Sequence, residues 1–293
     1  MDVSVGIMAF NEEKNIGRLL KALLSQKLKK VRIKEIIVVS EGSTDKTNKI
    51  VEKFAKKNKI IKLITKDKRR GKALAINGFI KTASSKLLVL ESADTIPKDD
   101  CIEKLCLPLL KKNTGICASH PMPINKKDSF IGFTINLLWS LHHRISLESP
   151  KFGELIAFRN IIEKIPNTAV DEEYIAMLIQ KKGFLAKYVP DAVVFNKGPT
   201  TAKDFLVQRR RIYCGHLELK KKSHYEVSTI SNLNIFKNLI ATLDTRPKHL
   251  IWTFGAVVIE TYARLLGTID FYSRKEHAVW KIAESTKRLE LIR

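Results

Sequence analysis

Asp94 closes the stretch from Lys86 to Pro97, in which four consecutive apolar residues, Leu87 to Leu90, predict a strand buried on both faces. A carboxylate on a short loop at the carboxyl end of such a strand can hold a hard cation and the phosphates it bridges. It can also simply cap the turn before Pro97. Two further loops carry matching chemistry. After Ile36 to Val39, a second buried run, come Glu41 and Gly42, an acid beside a backbone able to donate. Before the helix from Ala73 to Thr82 come Arg69, Arg70, Gly71 and Lys72, three cations around a glycine. An acid, backbone donors, cations and a metal-type carboxylate at neighbouring strand ends form the chemistry of a nucleoside diphosphate site. Farther along, Asp171 and Glu172 open a helix at its positive end, where a carboxylate stays ionised and can accept a proton, or can act only as a cap. Adjacent on a helix, they diverge by about 100°. Arg209, Arg210 and Arg211 are consecutive and cannot all bind one ligand, although one or two could reach a diphosphate.

The elements that must position these groups alternate. Val3 to Ala9, Ile36 to Val39, Ile60 to Thr65 and Leu87 to Leu90 read as strands. Between them, helices are predicted near Asn15 to Lys27, after Thr47, and from Ala73 to Thr82. This alternation predicts an α/β fold with a mostly parallel, doubly wound sheet flanked by helices. The turns carry neither a Walker pattern nor Gly-x-Gly-x-x-Gly, which argues against phosphate-loop NTPases and dinucleotide binders. A nucleotidyltransferase would need a glycine-rich loop after the first strand, and Met8-Ala9-Phe10-Asn11-Glu12 is not one.

In order, Phe10-Asn11-Glu12-Glu13, Ser40-Glu41-Gly42-Ser43-Thr44-Asp45, Gly71-Lys72-Ala73-Leu74-Ala75-Ile76-Asn77 and Ser92-Ala93-Asp94 resemble the motifs of family-2 glycosyltransferases with a GT-A fold. Asp171-Glu172-Glu173-Tyr174 resembles that family's acidic acceptor-side motif, and Gln208-Arg209-Arg210-Arg211 its Gln-x-x-Arg-Trp motif. The resemblance implies an inverting enzyme that moves a sugar from a nucleoside diphosphate donor, a UDP-sugar first, to a sugar or lipid-linked acceptor. It places Asn11, Glu12, Glu41, Ser43, Lys72, Asn77, Ala93, Gln208 and Arg211 around the donor. Asp94 would hold Mg²⁺ or Mn²⁺, and Glu172 or Asp171 would be the base, with Glu172 favoured by position. A lipid phosphate acceptor would need no base. Three departures stand out. The usual Asp-Asp-Gly-Ser is Ser40-Glu41-Gly42-Ser43, the usual Asp-x-Asp is Ser92-Ala93-Asp94 with no second carboxylate in the loop, and Ile212 stands where the motif has Trp. The single Asp is also what would support an inactive nucleotide-sugar-binding scaffold.

The 293 residues divide on this reading into a glycosyltransferase domain, 1–220, and a helical extension, 221–293. Within the first, 1–100 would bind the nucleotide and 101–220 the acceptor. The net charge of +23 calls for an anionic partner. No basic stretch is interleaved with stacking aromatics, so nucleic acid is not expected. Four cysteines without paired spacing, and a strand at the very start instead of a leader, fit a cytoplasmic protein. Phe130, Phe133, Leu137 and Leu141 share a helical face, as either a core helix or one lying in a membrane interface with Trp139 at headgroup depth. The same two readings apply to Leu250 to Ile259 with Trp252. That run is interrupted by Glu260 and Arg264, short of the roughly 20 apolar residues of a span. Two such helices and the positive charge suggest peripheral contact with an anionic inner membrane face. His142 and His143 are adjacent and do not make a metal pair.

Overall fold

The computed structural model describes residues 1–229 and 232–277, together with 279 and 286. Eight strands form one sheet in the order β3-β2-β1-β4-β7-β6-β8-β5. The first four are β1 (Asp2–Ala9), β2 (Arg32–Glu41), β3 (Ile61–Lys66) and β4 (Leu87–Ser92), all parallel. The chain runs outward from β1 to β3 and returns to place β4 on the other side of β1. That reversal opens a crevice at the carboxyl ends of β1 and β4, where α/β sheets bind ligands. The short β5 (Ile96–Pro97), β6 (Thr114–Pro123), β7 (Leu155–Arg159) and β8 (Leu185–Asn196) complete the sheet. Here β7 runs antiparallel to both β4 and β6, and β5 antiparallel to β8. The expected mostly parallel α/β sheet is therefore present, with β7 as the inverted strand that brings acceptor-half residues beside β4.

Alternation along the central strands sends side chains into two cores. On one side Val3, Val5, Ile7 and Val89 meet Ile16, Leu19, Leu20 and Leu23 of α1 (Ile16–Leu24), with α2 (Thr47–Lys57) and α4 (Cys101–Cys106) beside it. On the other, Ile37, Leu88, Leu90, Ile156 and Phe158 meet Ile76 and Phe79 of α3 (Lys72–Thr82) and Ile175 and Ile179 of α6 (Asp171–Lys181). Each fully buried side chain contributes roughly 1.5–3 kcal/mol, so the two cores, not the exposed lysine faces, hold the strand ends in place. All four cysteines are buried thiols.

The helix α5 (Phe130–Glu148) packs beside β6 and β8, and Ile131, Phe133, Ile135, Leu141 and Ile145 are buried. This burial fits the core reading of the helix, and Trp139 is half-buried, lining the cavity beside His142. The helix α7 (Ala202–Ser223) begins on a Thr201 cap, whose hydroxyl accepts from the Asp204 amide. It packs against α9 (Pro247–Tyr272), and α8 (Asn232–Ala241) lies near α5. At Gly267 an added Cβ would sit 2.7 Å from the Arg210 carbonyl, so only glycine lets α9 approach α7 this closely.

The run that ended at Glu260 in the sequence reading continues here. Among the described residues α9 is the one helix long and apolar enough, by length and composition, to cross a membrane. Its acids are consumed internally: Glu260 pairs with Arg209 and Arg264, and Asp270 with Arg210. Trp252 packs against Phe130 and Phe133 instead of facing outward. The outward stripe is Ile251, Phe254, Val258, Tyr262, Leu265, Ile269 and Tyr272, all exposed and spaced by three or four residues. The 281–293 part of the predicted helical extension lies outside the described residues, apart from 286.

Candidate active site

The turns after β1 and β2 are stitched to each other. Asn11 adopts φ +52°, a conformation Asn tolerates. Its Oδ1 accepts from the Thr44 amide at 2.8 Å, and its own amide donates to Ser43 Oγ at 3.1 Å. The Glu12 amide donates to Thr47 Oγ1 at 2.8 Å. Asn11 and Ser43, expected at the donor, thus join the two loops, and neither belongs to the cavity wall among the described residues. Asn77 does similar work. Its amide donates to the Ile165 carbonyl and accepts from the Ile165 amide, both at 2.8 Å, pinning the segment before α6.

Glu41 explains how the longer acid is used. Its Oε2 accepts from the amides of Arg70 and Gly71 at 3.0 and 3.1 Å, so it anchors the basic loop. Its Oε1 is buried with no hydrogen-bond partner, 3.9 Å from the Arg70 guanidinium, and the residue lines a cavity of about 620 Å³. Gly42 is required beneath that loop: φ is +67° and a Cβ would lie 2.9 Å from the Arg69 amide nitrogen. Arg69 in turn stacks over the Phe10 ring at 4.4 Å.

Glu12, Glu41, Lys72, Ala93, Asp94, Asp171, Glu172, Gln208 and Arg211 all line this one cavity. Lys72 Nζ donates to Glu172 Oε1 at 2.5 Å, joining the donor loop to the acceptor-side helix. Burial alone would neutralise both groups, but their attraction wins. The Lys72 ammonium is held protonated by Glu172 and Asp171, and the Glu172 carboxyl falls below its ordinary range. Asp171 differs from its neighbour. It is buried, its Oδ1 has no hydrogen-bond partner, and burial together with the Glu172 charge pushes its carboxyl up to about 7. Arg211 faces the three carboxylates Asp171, Glu172 and Glu154, and burial lowers its guanidinium to about 10, still charged at neutral pH. The other two arginines point elsewhere. Arg209 forms a fork on Glu260 at 2.8 and 2.7 Å, and Arg210 one on Asp270. Only Arg211 of the three reaches the carboxylate cluster.

Two acids escape sequence reasoning. Glu154, at φ +59° just before β7, receives a 3.2 Å hydrogen bond from Asn196, and its carbonyl accepts from the Ser92 amide. Burial and the Asp94 charge push its carboxyl up to about 7. Glu91 is wholly buried under the Asp94 turn. Thr95 Oγ1 donates to it, its Oε2 has no partner, and burial raises it to about 8, with Glu154 and Asp94 adding to the rise. A glutamate ending an apolar run was a visible signal for Glu91. For Glu154 there was none beyond its glycine neighbour, because antiparallel β7 is what brings it to β4. Asp94 is thus not alone: Asp94 and Glu154 repel each other across the crevice, an arrangement that suits a divalent cation. No cluster of three or more His, Cys, Asp or Glu side chains arranged to hold a metal occurs among the described residues. Such an ion would draw its remaining ligands from the donor's phosphates.

The family model described as Glycosyl transferase family 2 matches residues 4–169, more than half of the chain. The chain belongs to glycosyl transferase family 2. It is 27% identical over 229 residues to the probable glycosyltransferase YdaM of Bacillus subtilis, covering 71% of this chain and 54% of that one. It is 35% identical over 206 residues to the uncharacterized protein MJ0544 of Methanocaldococcus jannaschii, covering 64% of this chain and 85% of that relative. The chain thus spans about half of the first relative and most of the second. Among solved structures, the mannosyltransferase PcManGT of Pyrobaculum calidifontis, in complex with GDP-Man and Mn²⁺, matches with a TM-score of 0.66 at 19% identity. That match covers 94% of this chain and 88% of that one. Staphylococcus aureus TarS 1-349 in complex with UDP matches at 0.52 and 16% identity, covering 97% and 95%. The fold of the family-2 enzyme is GT-A, with additional C-terminal helices.

Proposed function

We propose that this family-2 glycosyltransferase is an inverting, metal-dependent enzyme that moves a sugar from a nucleoside diphosphate, UDP first, to a hydroxyl of a lipid-linked acceptor at a membrane surface. One observation carries the reading: the donor-side groups Glu41, Lys72, Asp94 and Arg211 and the acceptor-side Glu172 line a single cavity. The solved neighbours in complex with UDP, GDP-Man or Mn²⁺ support the donor class and the metal.

Glu41 and the Arg69–Phe10 stack offer a polar and a flat part of the wall for the nucleotide. Asp94 and Glu154 would hold Mg²⁺ or Mn²⁺, whose charge would offset that of the diphosphate. Lys72 and Arg211 are fixed beside the place where negative charge grows as the glycosidic bond to the diphosphate breaks. Glu172, ionised by its ion pair, takes the proton of the acceptor hydroxyl as that oxygen bonds the anomeric carbon from the opposite side. The outward apolar stripe of α9 supports the membrane surface, since an exposed face of this size is rare on a soluble monomer.

A screen of nucleotide sugars for slow hydrolysis, with and without Mn²⁺, tests this. Metal-stimulated release of one nucleoside diphosphate is expected. Failure of every donor to bind or turn over would leave a scaffold.

A further inference from the structure

Beyond the carboxylates, the same cavity continues into a second cluster that the transfer step does not use. His142 of α5, Lys151, Arg209 and His216 of α7, and Glu260 and Arg264 of α9 all face it. His216 is 4% exposed, yet its Nε2 has no hydrogen-bond partner, and the same holds for His142 Nδ1. Such orphaned buried nitrogens need an explanation. Lys151 donates to Glu173 at 2.8 Å, and Arg209 and Arg264 both share Glu260, so one carboxylate serves two guanidinium groups beside the histidines. Burial and these cations keep both imidazoles neutral. Past this cluster the wall turns apolar, with Leu138 of α5, Ile235, Phe236 and Leu239 of α8, and Val257 of α9. Phe236 and Val257 are also exposed, so the wall opens onto the outer face that bears the stripe of α9.

We propose that His216, His142, Lys151 and Arg264 form a phosphate subsite for the acceptor, whose apolar chain leaves between α8 and α9. Both imidazole nitrogens then gain a partner, and a second anion joins Glu260 beside the two guanidinium groups. His216 lies five residues along α7 from Arg211, about 7.5 Å of rise and about 140° around the axis, so the two line different parts of the cavity wall. The acceptor is therefore a hydroxyl-bearing headgroup joined through phosphate to a long apolar chain, with its hydroxyl at Glu172. This rests on the glycosyltransferase reading, since it takes the other end of the cavity as the donor site.

Calorimetry on the full chain saturated with UDP and Mn²⁺ tests it with three probes below their micellar concentrations. Lysophosphatidylglycerol carries hydroxyls, phosphate and chain, monoacylglycerol lacks the phosphate, and glycerol phosphate lacks the chain. The first is expected to bind at least tenfold tighter than either of the others, and His216→Leu to lose that advantage over monoacylglycerol. Because a buried histidine can be needed for folding, ring-labelled histidine spectra of the wild type supply a second readout. Lysophosphatidylglycerol should shift two buried imidazoles toward the protonated form, and monoacylglycerol should not. Equal binding of monoacylglycerol, or unmoved ring signals, overturns the phosphate subsite. Equal binding of glycerol phosphate overturns the apolar exit. If UDP itself fails to bind, the glycosyltransferase reading falls instead.

Discussion

Lys72 Nζ and Glu172 Oε1 meet at 2.5 Å although 100 residues separate them in the chain. The ammonium that belongs to the donor loop is therefore also what keeps the proposed base ionised. Lys72→Met should weaken donor binding and also raise the Glu172 carboxyl, so turnover falls most on the acid side of the pH–rate profile. Lys72→Arg should restore part of both. A Lys72→Met enzyme with an unshifted acid limb would separate the two roles.

Glu172→Gln should cut turnover by about 10²–10⁴ with little change in donor affinity, as expected of a general base. Asp171→Asn should stay active and lose an inflection near pH 7, where the Asp171 carboxyl titrates. Should Asp171→Asn be the dead variant, the base is Asp171, and the acid limb of the wild type will lie near 7.

Titration of Mn²⁺ with UDP distinguishes a one-acid from a two-acid site. The sequence alone made Asp94 the sole ligand, so that Asp94→Asn would abolish metal-dependent binding. With Glu154 across the crevice, each single variant, Asp94→Asn or Glu154→Gln, should retain weakened binding, and only the double variant should lose it. Unchanged affinity in Asp94→Asn removes that residue from the site.

Glu91 predicts a pH dependence of stability. Its folded carboxyl lies at about 8 against an ordinary 4.5, so the folded state binds the proton more tightly than the unfolded one. That contribution is complete below pH 4.5 and is lost as pH rises through 8, up to about 5 kcal/mol in all. Glu154 and Asp171 act in the same direction. Thermal melts should therefore fall between pH 5 and 9 in the metal-free wild type, and fall less in Glu91→Gln. Parallel curves would mean that Glu91 is not the buried acid responsible.

Vesicle binding separates the outward stripe from the inward-packed tryptophans. Phe254→Ser and Tyr272→Ser should weaken the salt-resistant part of sedimentation with anionic vesicles and leave the melting temperature nearly unchanged. Trp139→Ala and Trp252→Ala should instead lower the melting temperature, since both half-buried rings pack against other side chains, Trp252 on Phe130 and Phe133. The remaining attraction, about 1 kcal/mol for each basic residue near the surface, should be lost in high salt. No difference between Phe254→Ser and wild type would remove this face from the membrane.

The parallel half of the sheet could be read in the sequence because each strand is an unbroken apolar run and each ends in a loop that is distinctive by composition. Arg211 was preferred among three arginines, and it is the one that faces the carboxylates. The functions of Asn11, Ser43 and Asn77 were not legible, since an amide or hydroxyl that bridges two loops looks in sequence like one that awaits a ligand. Glu154 and His216 were hidden for another reason. Their meaning comes from an inverted strand and from the packing of α7 under α9, contacts between distant parts of the chain that no local pattern encodes. The orientation of α9 was hidden likewise, because the partners that consume Glu260 and Asp270 lie 51 and 60 residues away.

Arg209 and Arg210 grip two acids on one helix, and this has an evolutionary corollary. Whichever molecule the far wall of the cavity accommodates, that wall is bolted to the segment bearing Arg211. A lineage that changed acceptors by replacing α9 would strand two guanidinium groups unless positions 209 and 210 changed with 260 and 270. Among relatives these four positions should co-vary as two pairs, and the two helices should be inherited as a cassette, exchanged together or not at all.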